Sequence, residues 1–212
     1  MLPEVHIYPL SRLVHAPAGE WLGMLRSIEE GTDYANRYYL PLRQAIVDFC
    51  TGKGAGRTRI RQALRTRALS LGGSRGQRIA RDNENAFDVF EAEFYPRIKK
   101  FRRSLLGERQ QRCAFEGVML VGTPHLIVTD LDDRERYVFL HASLWDDNDL
   151  KAYLELLSFI VEQRFGAGPE DLWCMNLKTA KDVKWRPSKL TRSRCAKAAK
   201  LYAQLLKAME AQ

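Results

Sequence analysis

Gly117-Val118-Met119-Leu120-Val121-Gly122-Thr123-Pro124-His125-Leu126-Ile127-Val128-Thr129-Asp130 and, after the acidic run Asp130-Leu131-Asp132-Asp133, Tyr137-Val138-Phe139-Leu140-His141-Ala142 decide the fold. The first segment is dense in β-branched and apolar residues and ends at a turn-forming acidic patch, which reads as a strand followed by a hairpin turn. The second is apolar on both faces, as a strand covered by helices must be. Together they predict a hairpin inside an α/β core.

Helical periodicity surrounds this hairpin. Leu150, Tyr153, Leu154, Leu157 and Ile160 or Val161 repeat at helix spacing behind Asp147 or Asn148 as cap, and Gly166 ends the run. Leu172 to Leu177 reads as a third strand, and Ser188 caps a closing helix carrying Leu201, Leu205 and Met209. Upstream, Ser11 is expected to cap a helix running to about Ile28, interrupted near Pro17. Tyr34 to Phe49 predicts a helix containing Pro41, and Asp82 or Asn83 should cap one carrying Phe87, Val89, Phe90 and Phe94 as a core stripe. Pro96 should kink or restart the chain after Tyr95.

The order of these elements resembles the PD-(D/E)XK nuclease superfamily, and within it the RecB-like exonucleases. Pro124-His125 stands where that family has Pro-Asp, and His141-Ala142-Ser143 where it has Glu/Asp-x-Lys. Asp149 precedes Tyr153 at the spacing of its Gln-x-x-x-Tyr pair. Tyr8-Pro9-Leu10-Ser11-Arg12-Leu13 with Ala16-Pro17 is similar to its opening element, and Gly76 to Ala80 to its Gly-x-x-x-His element without the histidine. The resemblance implies a central mixed β-sheet flanked by helices, a restriction-endonuclease-like core over residues 76–212. A helical N-terminal part over 1–75 precedes it, all in one compact unit.

The family's chemistry needs carboxylates for Mg²⁺ and a lysine for the developing charge. With His125, His141 and Ser143 at those positions, the expected protein binds nucleic acid without cutting it. By family analogy it would be a subunit or accessory of a DNA-processing or phage-defence assembly, with a protein partner in a larger complex. One alternative is an active nuclease with migrated carboxylates, using Mg²⁺ or Mn²⁺. Its candidate ligands are Glu116, Asp130, His125 and His141, with Asp132, Asp133, Asp146, Asp147 and Asp149 nearby. Glu84, Glu91 and Glu93 could add a ligand but read first as exposed helix surface. Another alternative is a protein-interaction scaffold with no nucleic-acid role.

Charge favours nucleic acid. The chain of 212 residues carries a formal net charge of +8, and its cations are clustered. From Lys53 to Arg81 nine basic residues occur with no acid, and Arg57, Arg61 and Arg65 fall on one face of a helix expected from about Thr58, with Arg59 beside them. Lys99, Lys100, Arg102 and Arg103 form a second cluster with Arg97. Lys181, Lys184 and Arg186 form a third around Trp185, a side chain able to stack on a base. Guanidinium groups suit bidentate phosphate contacts, so DNA or RNA is the expected partner.

Four scattered cysteines, Cys50, Cys113, Cys174 and Cys195, give no zinc or iron–sulfur spacing, and no cofactor is expected. No apolar run approaches the roughly 20 residues of a membrane span. Neither does the N-terminus read as a signal peptide, so a cytoplasmic protein with no membrane role is the expectation.

Overall fold

The structure, a computed structural model, describes residues 2–29, 34–52, 56–69, 73–104, 111–142 and 146–210. Eight strands and eight α-helices among them build an α/β architecture with two mixed sheets. None of these helices is long and apolar enough to cross a membrane.

The hairpin expected from the sequence is present, but its first strand is not continuous. Val118–Gly122 (β4) and Leu126–Thr129 (β5) are separated by Thr123-Pro124-His125 and belong to different sheets. Proline supplies no N–H to a ladder, so pairing stops there and the chain can change sheets. β5 pairs antiparallel with Glu135–His141 (β6), Leu126 opposite Val138 and Thr129 opposite Glu135. The turn between them is held by Asp130, whose Oδ1 accepts from the Asp132 and Arg134 N–H groups at 3.0 and 2.9 Å.

A parallel partner for β6 requires a crossover, which Asp147–Phe165 (α7) provides before Leu172–Asn176 (β7). Arg102–Ser104 (β2) lies outside β5, and Lys181–Asp182 (β8) closes the other edge against β7. The sheet order is therefore β2-β5-β6-β7-β8. α7 is capped one residue earlier than its periodicity suggested: Asp146 accepts from the Asn148 N–H at 2.8 Å, and Gly166 adopts φ 66° at the other end. Asp146→Ala should cost about 0.5–2 kcal/mol, readable as a fall in thermal midpoint with unchanged secondary structure.

A second sheet takes one short strand from the otherwise helical N-terminal part. Glu4–His6 (β1) pairs parallel with β4, and Gln111–Phe115 (β3) pairs antiparallel with it. Glu116 and Gly117, with φ of 48° and 89°, form the two-residue turn between β3 and β4, a geometry that glycine adopts without steric cost. A Cβ on Gly122 would lie 2.6 Å from Ile7 Cδ1 and 2.9 Å from Ile160 Cδ1, which explains a glycine where two helices converge on β4.

The first helix, Ile7–Leu13 (α1), contains Ser11 rather than starting at it. Ser11 is fully buried and its hydroxyl donates to the Tyr8 carbonyl at 2.7 Å. A separate helix, Trp21–Glu29 (α2), follows. Tyr34–Thr51 (α3) and Arg57–Leu69 (α4) agree with the expected helices.

Gly73–Val89 (α5) begins well before the expected caps, so Asp82 and Asn83 lie inside it. The buried Asn83 amide donates to the Ile79 carbonyl at 2.8 Å, one turn back. A π-helical turn, Phe90–Phe94, joins α5 to Tyr95–Ile98 (α6). There the Tyr95 N–H reaches Phe90 O, and the wider turn accommodates Pro96, which has no N–H to return to the preceding turn. Lys189–Glu210 (α8) closes the chain, with Ser188 accepting from the Thr191 N–H at 3.4 Å.

The large sheet separates two cores. Val138, Leu140, Leu126, Val128 and Met175 point toward Phe87, Phe90, Phe94 and the apolar stripes of α3 and α4. Phe139 and Cys174 point the other way, toward α1, α7, α8 and the small sheet. Residue alternation along β6 produces this division.

Candidate functional site

Three of the positions singled out from the sequence, His125, His141 and Tyr153, lie around Phe139. Its ring centroid lies 4.8 Å from that of His125, 4.6 Å from Tyr153 and 6.4 Å from His141. His125 has a defined structural task. Its backbone N–H donates to Val138 O at 2.7 Å, and its Nδ1 accepts from the Leu140 N–H at 2.9 Å. That acceptance requires a neutral ring with its proton on Nε2. The side chain thereby extends the β5–β6 ladder beyond the point where Pro124 ends it.

Burial holds the His125 pKa well below that of a free imidazole, and the Arg43 guanidinium on α3 reinforces this. Burial likewise lowers His141 to about 4, with Arg43 and Lys178 contributing. Tyr153 is pushed up by burial against the opposing effect of Arg43. Arg43 thus acts on all three positions, a role its place in an amphipathic helix did not disclose.

Asp149 is half-buried, and that burial raises its pKa, while His15 and Arg12 oppose the rise and Asp146 adds to it. Ser143 lies outside the described residues.

These groups fit a hard cation poorly. Each histidine offers one nitrogen donor at most, and on His125 the available nitrogen carries the proton. Glu116 occupies the β3–β4 turn and pairs with Lys200 at 3.0 Å, whereas Asp130 is committed to the β5–β6 turn. Among the described residues, no three His, Cys, Asp or Glu side chains form a metal-ligating group.

The basic clusters differ in what opposes them. Arg57, Arg61 and Arg65 do share a face, but it meets carboxylates from α5 and the π-helical turn. Arg57 pairs with Glu91, Arg61 with Asp88 at 2.5 Å and Glu91 at 3.8 Å, and Arg65 with Glu84 through two hydrogen bonds. Glu84 and Glu91 are consequently not the freely solvated residues expected from sequence. Their spacing relative to Asp88 was the available signal: acids at 84, 88 and 91 match arginines at 65, 61 and 57 on an antiparallel helix. Arg59 is exposed and outside this ladder.

The second and third clusters meet in space. Arg97 on α6 forms a fork with Asp182 on β8, at 2.9 and 2.6 Å, and its guanidinium lies 4.7 Å from the Trp173 ring centroid. Lys99 and Lys100 follow within one turn of α6, and Lys181 and Lys184 flank Asp182 and Val183. These four lysines and Arg186 are exposed and make no ion pair among the described residues. The backbones of Arg102 and Arg103 pair with Thr129 and Val128 in β2. Trp185 is half-buried against the core shared by α7 and α8, so much of its ring is committed to packing rather than free for stacking.

In comparison with known proteins, no family model, no curated protein and no solved structure matches this chain.

Proposed function

We propose that this protein binds nucleic acid through the basic edge formed by α6 and β8, on a degenerate nuclease-like scaffold that does not cut. The observation that carries the reading is that Lys99, Lys100, Lys181 and Lys184, close in sequence to the Arg97–Asp182 pair that joins α6 to β8, and Arg186 beyond them, are exposed and make no ion pair among the described residues. Cations already facing carboxylates add little to a phosphate's attraction, whereas exposed unpaired ones release counterions on binding. The α4 arginines therefore contribute less than their number in the sequence implies.

The non-cutting part of the proposal is supported by the committed His125 ring and the buried, neutral His141 at the nuclease-like positions. The reading takes the hairpin, crossover helix and parallel strand as the framework of that scaffold. Participation in a DNA-processing or defence assembly belongs to the same proposal and rests on that resemblance alone.

Anisotropy titrations with labelled single- and double-stranded DNA and RNA, in chelator across a salt series, test it. Lys99→Glu, Lys100→Glu and Lys184→Glu together should weaken binding by at least about ten-fold and flatten the salt dependence by about two to three phosphate contacts. Arg57→Gln, Arg61→Gln and Arg65→Gln together should change affinity by less than about three-fold, because those charges are internally balanced. Absence of binding at low salt would overturn the function, and metal-dependent cleavage abolished by one acidic substitution would overturn the non-cutting part.

A further inference from the structure

Beside Trp173 opens a cleft of about 330 Å³ whose walls are Phe101, Leu172 and Trp173 on the apolar side and Asp130, Arg136 and Glu170 on the polar side. That volume is of the size that accepts small planar ligands. It lies on the sheet face that also carries Arg97, since Trp173 is opposite Val138 in the β6–β7 register and Val138 belongs to the core beneath α5 and α6. The Val183 N–H donates to Cys174 O at 2.9 Å, prolonging the β8 pairing by one residue. Alternation continued past β8 puts Lys184 on the same side of the sheet as Asp182, the partner of Arg97.

The polar wall has a particular chemistry. Arg136 sits 3.7 Å from Asp130 and 3.6 Å from Asp171 and donates to Glu170 O at 3.0 Å. Arg134 bonds Asp171 at 2.5 Å and reaches Glu170 only at 3.4 Å. On the wall itself two carboxylates, Asp130 and Glu170, stand against the single guanidinium of Arg136, and the exposed Glu170 is the less engaged of the two. A phosphate would be repelled there, and an aliphatic ligand would leave the acceptors unpaired. A planar ring with an exocyclic amine would lie against the aromatic walls and donate to the exposed Glu170 carboxylate.

We infer that this cleft takes one unstacked nucleobase bearing an exocyclic amine, from a single strand whose phosphates follow Lys99, Lys100 and Lys184. The inference rests on the nucleic-acid reading above and adds to it a strand form and a base class. A duplex keeps its bases stacked and its amines paired, so it cannot fill the cleft without unpairing. The strand's charge and its base are thus read by adjoining but chemically opposite surfaces.

The test compares, on the full chain, labelled single-stranded oligomers of equal length and charge: deoxycytidine, deoxythymidine and abasic. Deoxycytidine should bind about ten-fold more tightly than the abasic strand, with deoxythymidine between them, as expected for stacking plus an amine contact. Phe101→Ala should bring the three affinities within about two-fold while leaving the abasic affinity unchanged. Equal binding of all three strands to the unaltered protein, or preference for duplex over single strand, overturns the inference but leaves the nucleic-acid reading standing. Failure of every strand to bind overturns both. The strand comparison needs no variant, so it stands even where Phe101→Ala fails to fold.

Discussion

Lowering the pH from 7 to 4 is expected to remove about 3 kcal/mol of folding stability through His141 alone, with His125 adding to the loss. The folded protein holds His141 neutral down to about 4, whereas the unfolded chain protonates it near 6.5. Above 6.5 neither state is protonated and the site costs nothing. Between 6.5 and 4 the unfolded state binds the proton and the folded state does not, so stability falls as pH falls. His125 acts with the same sign, because a proton on Nδ1 would displace the Leu140 N–H.

Urea unfolding at a series of pH values measures this directly. His141→Asn should flatten the profile between pH 6.5 and 4. His125→Asn, whose amide oxygen can still accept from Leu140, should remove that residue's share while retaining most of the fold at pH 7. A wild-type stability that is constant across this interval would refute the burial and protonation assigned to both rings.

Replacing Glu155 with alanine is expected to destabilise the protein by about 2–3 kcal/mol. Glu155 is only 2% exposed, accepts from Arg192 Nε at 2.8 Å and from the Ser188 N–H at 3.0 Å, and so fastens the start of α8 to α7. Loss of the carboxylate strands the Ser188 N–H and leaves Arg192 without its nearest counter-charge. Arg192 is 41% exposed and also lies 3.9 Å from Glu162, so it can regain water and a weaker partner. That places the cost below the range for a fully enclosed ion pair. Glu155→Gln keeps an acceptor without the charge and should fall between alanine and wild type in chemical denaturation. A loss below about 0.5 kcal/mol for alanine would mean that the two helices are held by apolar packing alone.

The particular residues explain which parts of this structure were readable in advance. β6 was legible because Tyr137, Val138, Phe139 and Leu140 are four successive apolar residues that alternate between the two sides of the sheet, and α7 because its stripe, acidic start and terminal glycine agree. The break at Thr123-Pro124-His125 was misread as continuous strand because the apolar residues on either side give no local sign that they enter different sheets. β1 is three residues long, and only its pairing with β4 makes it a strand. Asp82 and Asn83 look like caps locally, yet the preceding Gly73 to Arg81 remains helical because Ile79 and Ala80 are buried and the arginines of α4 find acids one helix away.

The candidate site was legible in part. His125, His141 and Tyr153 stand out through the family resemblance, and their rings lie around Phe139, a proximity that assigns them no role. Arg43, which depresses both histidines, comes from a helix separated from them by more sequence than any motif spans. The cationic clusters were visible as composition, but composition records neither sign compensation nor adjacency. Whether a guanidinium faces Glu84 or solvent is settled by helix packing.

The division of β6 between two cores has a consequence for how the molecule comes apart. Val138 and Leu140 are enclosed on one side, Tyr137 and Phe139 on the other, and hydrogen-bonded strands border both edges. Neither layer of helices can detach without wetting one face of this strand, yet detachment of a single layer leaves its ladder intact. Amide protons of β6 should therefore be among the last to exchange with solvent, and they should do so only when both layers have opened together.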